Sequence, residues 1–438
     1  MPSLQVITLG CSKNTVDTEH LLFQVQDRYE LVPEDEVRPR VDVLLVNTCG
    51  FIGDAKEQSV QTILAAAGRK ADGEVGRLLV FGCLSERYRE DLPALIPEVD
   101  GWFGARDLKP LVEALGCTYR PMEEHRRVLT RPNRPYAFFK ISEGCNRRCS
   151  YCAIPFIRGP HRSVPVETLV KEAEDLASRG IRELVIIAQD TTYYGLDLYG
   201  HRALARLLRR LSAVEGIEWL RIHYSYPADF PEDVLEEMAS NPKVCRYMDI
   251  PLQHVSDVVL DKMHRNVDGR WTRELIRRMR EKVPGVVLRT TLIVGHPGEG
   301  EKAFAELTDF VREARFQRMG AFAYSEEEGT FGAEHYKDRI SARTKQKRLD
   351  SLMELQRGIS LAYNQSRIGT VEKVLVDDFA DGTLVCRSEY ESPEVDGEIL
   401  VKYTAAAFGG VEPYSLVGEF IRVRITAADE YDLTAEVI

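Results

Sequence analysis

The feature that most constrains this chain is a loop with three cysteines at C-x3-C-x2-C spacing, namely Cys145, Cys149 and Cys152. The loop follows an apolar run at 136–141, which is typical of a strand, and Gly144 opens it. Cysteines this close together can turn three thiolates toward one point, which suits an iron–sulfur cluster with one iron left open. A closed zinc site needs a fourth ligand, and the next candidate is His161. The alternatives are a partial zinc knuckle or three unrelated thiols. We call these cysteines the loop site.

Size and composition indicate a multidomain protein whose thiols are reduced. A chain of 438 residues is too long for one core, which predicts two or three domains. The sequence shows neither a signal-peptide pattern nor a long apolar run, so we expect no membrane association and a cytoplasmic location. Nine cysteines, an odd number spread along the chain, are not typical of a disulfide framework.

Strand and helix patterns alternate in the first region, residues 1–124. Three apolar runs are each followed by a helical pattern, in the order 4–9 and 14–26, 41–46 and 54–67, 78–81 and 85–92. This alternation predicts an α/β fold with an open parallel sheet and helices on both faces. Each run leads to a cysteine beside a glycine, namely Cys11, Cys49 and Cys83. Because parallel strands end at one edge of a sheet, we predict a second three-thiolate site there, the sheet-edge site. The alternative is three ordinary buried cysteines.

The alternation continues through the middle region, residues 131–364. Further strands are predicted at 183–188, 218–223, 247–250, 286–294 and 318–324. With the strand before the loop site, they predict a partial or closed (β/α) barrel, whose sites form at the carboxyl ends of strands. Gln189 and Asp190 follow one such strand and are candidate cofactor ligands, although polar residues there can instead cap the next helix.

The last region, residues 366–438, contains short runs rich in β-branched residues, separated by turn signals. These runs predict a small antiparallel barrel of about five strands. The region carries 15 Asp and Glu residues against 6 Lys and Arg residues, a net of −9 out of −11 for the whole chain. An acidic domain is a poor partner for a phosphate backbone and a good one for a basic protein.

Nearly the whole chain resembles the methylthiotransferases of the radical S-adenosylmethionine (SAM) superfamily. The resemblance rests on residues 141–152, with Tyr151 before the last cysteine, on Ala188-Gln189-Asp190-Thr191-Thr192, and on the motif at 392–397. It implies a cysteine-bearing N-terminal domain at 1–124, a radical SAM barrel at 131–364 and a TRAM β-barrel at 366–438.

The resemblance also implies two 4Fe-4S clusters and SAM as cofactors. Cys145, Cys149 and Cys152 match the ligands of the SAM-binding cluster, and Cys11, Cys49 and Cys83 match those of an auxiliary cluster that holds the added sulfur. Tyr151, Gln189 and Asp190 would contact SAM. The most similar branch methylthiolates the β-carbon of an aspartate in ribosomal protein S12, so this basic protein and an electron donor are the implied partners.

Two other functions remain open from the sequence. A tRNA adenosine methylthiotransferase would use the same clusters, but it would need a cationic terminal barrel, and the net charge of −9 disfavours tRNA. A non-catalytic iron–sulfur or zinc scaffold that binds the ribosome is disfavoured only by the two open three-cysteine sites.

Overall fold

The computed structural model describes residues 1–123 and 125–438, which form two compact units. Unit 1 comprises Met1–Pro132, Ser142–Arg162 and Glu327–Glu334. Unit 2 comprises Asn133–Ile141, Ser163–Glu326 and His335–Ile438. The predicted domain boundary at Glu124 lies outside the described residues, and the division into three domains stays a prediction.

Unit 1 is built on a parallel sheet of five strands. In spatial order these are Glu30–Val32, Ser3–Thr8, Val41–Thr48, Val75–Gly82 and Gly101–Trp102. The α-helices of the unit are Ser12–Val25, Gly53–Ala71, Cys83–Arg87, Leu92–Leu95, Lys109–Ala114 and Ile154–Arg158, with a 3-10 turn at Pro121–Glu123. The predicted open parallel sheet is confirmed.

One predicted helix of this region, at 85–92, is wrong. The structure has two short helices there, Cys83–Arg87 and Leu92–Leu95, separated by the non-helical Tyr88 (φ −119°, ψ 39°). Proline has no backbone N–H to donate inside a helix and favours its first turn. Pro93 therefore begins a new helix instead of continuing the old one.

The central strand of the unit 1 sheet is covered on both of its faces. Side chains alternate along a strand, so neighbouring residues face opposite sides of the sheet. Val43 packs in a buried cluster with the helices Ser12–Val25 and Lys109–Ala114, whereas Leu44 packs in a second cluster with Gly53–Ala71. Burial on both faces explains why the strand reads as a continuous apolar run in the sequence.

Unit 2 contains a parallel sheet of six strands. In spatial order these are Arg318–Ala323, Val287–Val294, Val244–Asp249, Trp219–Ile222, Glu183–Ile187 and Tyr136–Lys140. The helices of the unit are Val166–Ser178, Leu196–Tyr199, Leu204–Ser212, Glu232–Ser240, Asp257–Lys262, Gly269–Lys282, Glu301–Ala314 and Ala342–Ser366, with a 3-10 turn at Thr191–Tyr193. Because Tyr136–Lys140 and Arg318–Ala323 form the two edges, the sheet is the partial form of the predicted barrel.

The C-terminal part of unit 2 is a closed barrel of five strands. These are Val371–Ala380, Thr383–Arg387, Ile399–Lys402, Phe420–Ala428 and Leu433–Val437, with a 3-10 turn at Pro413–Leu416. Ile399–Lys402 pairs with Leu433–Val437 in parallel, and the other pairings are antiparallel. A closed ring with an odd number of strands cannot alternate in direction throughout. The five-strand closure therefore requires one parallel pair in the predicted barrel.

Three short elements complete the described chain: the two-residue strands Ser142–Glu143 and Arg162–Ser163, and the helix Phe331–His335. Among the described residues, no helix combines the length and the apolar content that crossing a membrane requires.

Candidate functional site

The structure brings Cys11, Cys49 and Cys83 together at the carboxyl edge of the unit 1 sheet. A Cβ atom added to Gly10 would lie 2.8 Å from the Cys49 Cβ and 3.1 Å from its Sγ. Asn14 is near the third thiol, because its Oδ1 lies 3.8 Å from the Cys83 Sγ. The Asn14 amide also donates to the carbonyl oxygens of Leu9 and Thr48, at 2.8 and 3.0 Å. One buried amide thus ties the three strand ends together.

Gly10 lets the end of its strand approach Cys49 closely. Its φ of +94° disfavours other residues, and the position left open by its missing side chain lies against Cys49. The side chains at this edge include three thiols, and thiolates are the ligands that iron–sulfur clusters use. The residues present therefore fit the cluster that the sequence predicts here.

The thiols of the sheet-edge site differ in exposure and in acidity. Cys11 is exposed, Cys49 is half-buried and Cys83 is buried. Burial raises the pKa of Cys83 to about 12 and also raises that of Cys49, and the neighbouring thiolates act in the same direction. The Arg158 guanidinium opposes both shifts. A coordinated metal deprotonates a thiol outright. Metal binding would therefore produce the thiolate form that burial disfavours.

Arg158 is a buried cation beside this site that the sequence analysis missed. Its side chain is 2% exposed, and its Nε donates to the Cys83 Sγ at 3.2 Å. Its Nη2 donates to the Asn14 Oδ1 at 2.6 Å. Its Nη1 donates to the carboxylates of Asp17, at 2.6 Å, and Glu143, at 3.2 Å. The only sequence signal is one arginine at the end of the otherwise apolar helix Ile154–Arg158.

The loop site also belongs to unit 1, in the segment Ser142–Arg162. Cys145, Cys149 and Cys152 are all half-buried. The Cys145 N–H donates to the Gly159 carbonyl oxygen at 3.1 Å, and the Cys152 N–H donates to the Cys149 carbonyl oxygen at 3.1 Å. Gly144 has a φ of +77°, and a Cβ atom there would lie 2.2 Å from the Pro160 carbonyl oxygen. The loop is therefore folded back on itself.

The structure describes all three residues that are predicted to contact SAM. Tyr151 is half-buried within the cysteine loop of unit 1, whereas Gln189 and Asp190 follow the strand Glu183–Ile187 of unit 2. The Asp190 Oδ1 accepts hydrogen bonds from the Thr192 backbone N–H at 3.0 Å and its hydroxyl at 2.6 Å. Asp190 thus performs the capping role that the sequence also allowed. Its contact with SAM stays a prediction, as do those of Tyr151 and Gln189.

A second polar loop lies at the carboxyl end of the strand Val287–Val294. The buried Glu299 accepts from the Gly295 N–H at 2.9 Å and from Arg348 at 2.8 Å, and it lies 3.2 Å from His254. Burial lowers the pKa of the adjacent His296 to about 4, so its imidazole is neutral at pH 7. Glu299 therefore holds this loop in one conformation. No sequence pattern indicates this role, because Arg348 is 49 positions away.

The other cysteines have packing roles. Cys245 and Cys386 are buried in apolar clusters of unit 2, and Cys117 packs at the edge of a cluster in unit 1. No disulfide joins any of the nine cysteines, all of which lie in the part of the chain that the structure describes. These three cysteines pack with apolar residues, whereas the other six lie at the sheet edge or in the cysteine loop.

Three family descriptions match separate parts of the chain. They are the Radical SAM superfamily over residues 139–311, the TRAM domain over 368–438, and Uncharacterized protein family UPF0004 over 3–104. Among solved structures, the radical SAM methyltransferase TsrM from Kitasatospora setae covers 76% of this chain and 78% of its own, with a TM-score of 0.55 at 15% identity. The radical SAM enzyme OxsB has a TM-score of 0.55 at 12% identity, over 82% of this chain and 56% of its own. The fold and these matches define the class as radical SAM enzymes.

Sequence identity to curated relatives shows which family of radical SAM enzymes the chain belongs to. Ribosomal protein uS12 methylthiotransferase RimO from Porphyromonas gingivalis is 50% identical over 99% of both chains. The protein of the same name from Bacteroides thetaiotaomicron is 48% identical over 99% of this chain and 98% of its own. The chain belongs to the RimO family of methylthiotransferases, and the predicted resemblance is confirmed.

Proposed function

We propose that this enzyme methylthiolates the β-carbon of an aspartate in ribosomal protein S12, in the cytoplasm. The observation that carries the proposal is the meeting of Cys11, Cys49 and Cys83 at one sheet edge, in a chain that also has the radical SAM cysteine loop. A radical SAM enzyme without a sulfur-donating site needs only the loop. The relatives named for uS12 support the choice of substrate.

The two sites would divide the work between two 4Fe-4S clusters. Cys145, Cys149 and Cys152 would hold one cluster and leave an iron open to SAM, and Cys11, Cys49 and Cys83 would hold the other. When bound, these clusters and SAM supply the electron, the radical chemistry for an unactivated C–H bond, and the sulfur and methyl groups. Tyr151, Gln189 and Asp190 would orient SAM. The chain itself would bind and position these groups.

Charge supports a basic protein as the substrate and disfavours tRNA. The exposed acidic residues of the terminal barrel are Asp381, Glu394, Glu398, Glu412, Glu419, Asp429, Asp432 and Glu436. Such a surface repels phosphate and attracts lysine and arginine. An electron donor is the second partner that the chemistry requires.

Mass spectrometry of S12 after anaerobic incubation with the reconstituted enzyme, SAM and a reductant tests this proposal. We expect one methylthio group in place of a hydrogen on an aspartate, and about eight irons per chain for two cubane clusters. Changing Cys11, Cys49 and Cys83 together to alanine should abolish the product and remove about half of the iron. The matched control is Cys117→Ala, which removes a packing cysteine of the same unit.

Three results would contradict the proposal. Modification of tRNA adenosine instead of S12, with binding that weakens steeply as salt is added, would favour the nucleic-acid alternative. Zinc in place of iron without SAM cleavage would favour a scaffold. Full iron content in the triple alanine variant would remove the sheet-edge site from the mechanism.

A further inference from the structure

Arg158 connects the two cysteine-bearing parts of unit 1. It lies six positions after Cys152 in the sequence, yet its Nε donates to the sulfur of Cys83 at 3.2 Å. Its Nη1 reaches Glu143, next to the loop site, and Asp17, on the helix Ser12–Val25 that follows Cys11. One guanidinium therefore contacts a cysteine of the sheet-edge site and a carboxylate next to the loop site.

The other contacts of Arg158 fix the direction in which its Nε points. A guanidinium is planar and presents its donors as a rigid fork. The Nη atoms of this fork are held by Asp17 and Asn14, each at 2.6 Å. With a side chain only 2% exposed, water does not compete for these donors. The Nε–H therefore stays aimed at the Cys83 sulfur.

A charged donor aimed at a ligand sulfur has a defined chemical effect. Hydrogen bonds to the sulfurs and nearby charge are among the factors that set the potential of an iron–sulfur cluster. Reduction adds negative charge, and a cationic donor stabilises the more negative state. In a buried site this effect is larger than in water, because the local dielectric constant is low.

We propose that Arg158 is a positioning residue that makes the cluster of the sheet-edge site easier to reduce, through its hydrogen bond to the Cys83 sulfur. Its remaining donors hold the segment Ser142–Arg162 against the helix Ser12–Val25. The inference rests on the proposed function, in which Cys83 is a cluster ligand.

The test uses the full chain with Cys145, Cys149 and Cys152 changed to alanine, so that the sheet-edge site is the only cluster site. The parent, Arg158→Lys and Arg158→Met are reconstituted anaerobically and titrated with reductant, with electron paramagnetic resonance as the readout. We expect Arg158→Met to lower the one-electron reduction equilibrium about tenfold, equal to a potential lower by about 59 mV. Arg158→Lys keeps the charge but loses the fork, so its shift should be smaller.

The matched control is Arg127→Met, which removes another buried arginine of unit 1, one that pairs with Glu19. This variant should keep the potential and spectrum of the parent. A wild-type potential in Arg158→Met would overturn the inference. If that variant does not fold, Arg158→Gln, which also removes the charge, replaces it, and a wild-type potential there overturns the inference equally.

The same experiment separates this inference from the proposed function. If the parent binds no iron, or if adding Cys83→Ala leaves its iron content unchanged, the ligand assignment itself is wrong. If iron binds through Cys83 but the potential ignores Arg158, only the role of Arg158 is wrong.

Discussion

Both units of the molecule contain fully buried arginines, and Arg387 of unit 2 and Arg158 of unit 1 use their donors differently. In unit 2, Arg387 donates from its Nε to Asp377, from its Nη2 to Glu183 at 2.8 Å, and from its Nη1 to the Glu391 carbonyl oxygen at 3.2 Å. In unit 1, Arg158 gives its Nε to a cysteine sulfur. Burial of an arginine is thus no indication of function by itself. An arginine whose N–H groups all bind carboxylate or carbonyl oxygens has a structural role, whereas one that donates to a cysteine sulfur is a candidate functional residue.

Arg387 belongs to a network that joins the terminal barrel to the six-stranded sheet. Glu183 and Arg318 come from the sheet, and they pair with Arg387 and with Glu391 of the barrel region, at 2.8 and 3.0 Å. Arg367 also pairs with Glu391. These groups are buried and mutually compensated, as buried charges must be. The barrel is therefore an integral part of unit 2.

The largest effect on this comparison should come from Arg387→Met. The change leaves Glu183 and Asp377 with less compensation in a buried environment, which typically costs about 3–5 kcal/mol. We expect the free energy of unfolding, measured with urea, to fall by that amount, while the folded fraction keeps the spectra of both clusters. Arg424→Met, at an exposed position of the same barrel, is the control. A changed cluster spectrum would show that Arg387 also affects a cluster, as we propose for Arg158.

An intermediate effect is expected from Glu391→Gln, and it should depend on pH. Burial raises the pKa of Glu391, but Arg367 and Arg318 outweigh it and lower the pKa from 4.5 to about 2. A carboxylate with a lowered folded-state pKa stabilises the protein above its unfolded pKa, and this contribution is lost as the pH falls toward 2. At 1.36 kcal/mol for each pKa unit, the difference from wild type at pH 7 is about 3 kcal/mol.

Urea unfolding of wild type and Glu391→Gln at pH 7, 5 and 3 checks this prediction. The difference in free energy should be full at pH 7 and should have shrunk at pH 3. Glu412→Gln, at an exposed acidic position of the barrel, should show no such trend. A difference that stays constant with pH would mean that ion pairing of Glu391 is not its source.

The smallest effect should come from Asp17→Asn, because Arg158 keeps its contacts with Glu143 and Asn14. Loss of one charged hydrogen-bond partner costs about 1–2 kcal/mol. Thermal or urea unfolding measures the loss, with Asp27→Asn as the control at an exposed ion pair with Arg120. Surface changes of that kind stay within about 0.5 kcal/mol. If Asp17→Asn lowers the free energy of unfolding as much as Arg387→Met does, Glu143 and Asn14 do not compensate for the loss of Asp17.

The fold could be predicted from the sequence where burial leaves a strong pattern. The apolar run at 41–46 predicts the strand Val41–Thr48, because burial on both faces makes most of this strand apolar. The edge strands Glu30–Val32 and Gly101–Trp102 were missed, because two or three residues are too few to show a period. The helix predicted at 85–92 is interrupted instead, because Tyr88 is non-helical and a second short helix begins at Leu92, next to Pro93.

The candidate site was predictable only where topology or spacing carried the information. Three strand ends predicted the meeting of Cys11, Cys49 and Cys83, although their role as ligands stays a prediction. Arg158 could not be found in this way, because its partners Cys83 and Asp17 are 75 and 141 positions away. The net charge of −9 also overstates the charge on the surface of the barrel. It includes the buried Glu391, which pairs with Arg318 and Arg367.

Unit 1 is discontinuous in sequence, because it draws Ser142–Arg162 and Glu327–Glu334 from stretches far beyond its sheet. The sheet alone lacks Arg158 and the backbone that supports it. Swapping residues 1–132 between homologues would thus bring in a foreign neighbour for Cys83. The sheet and the cysteine loop should be inherited, and engineered, as a single piece.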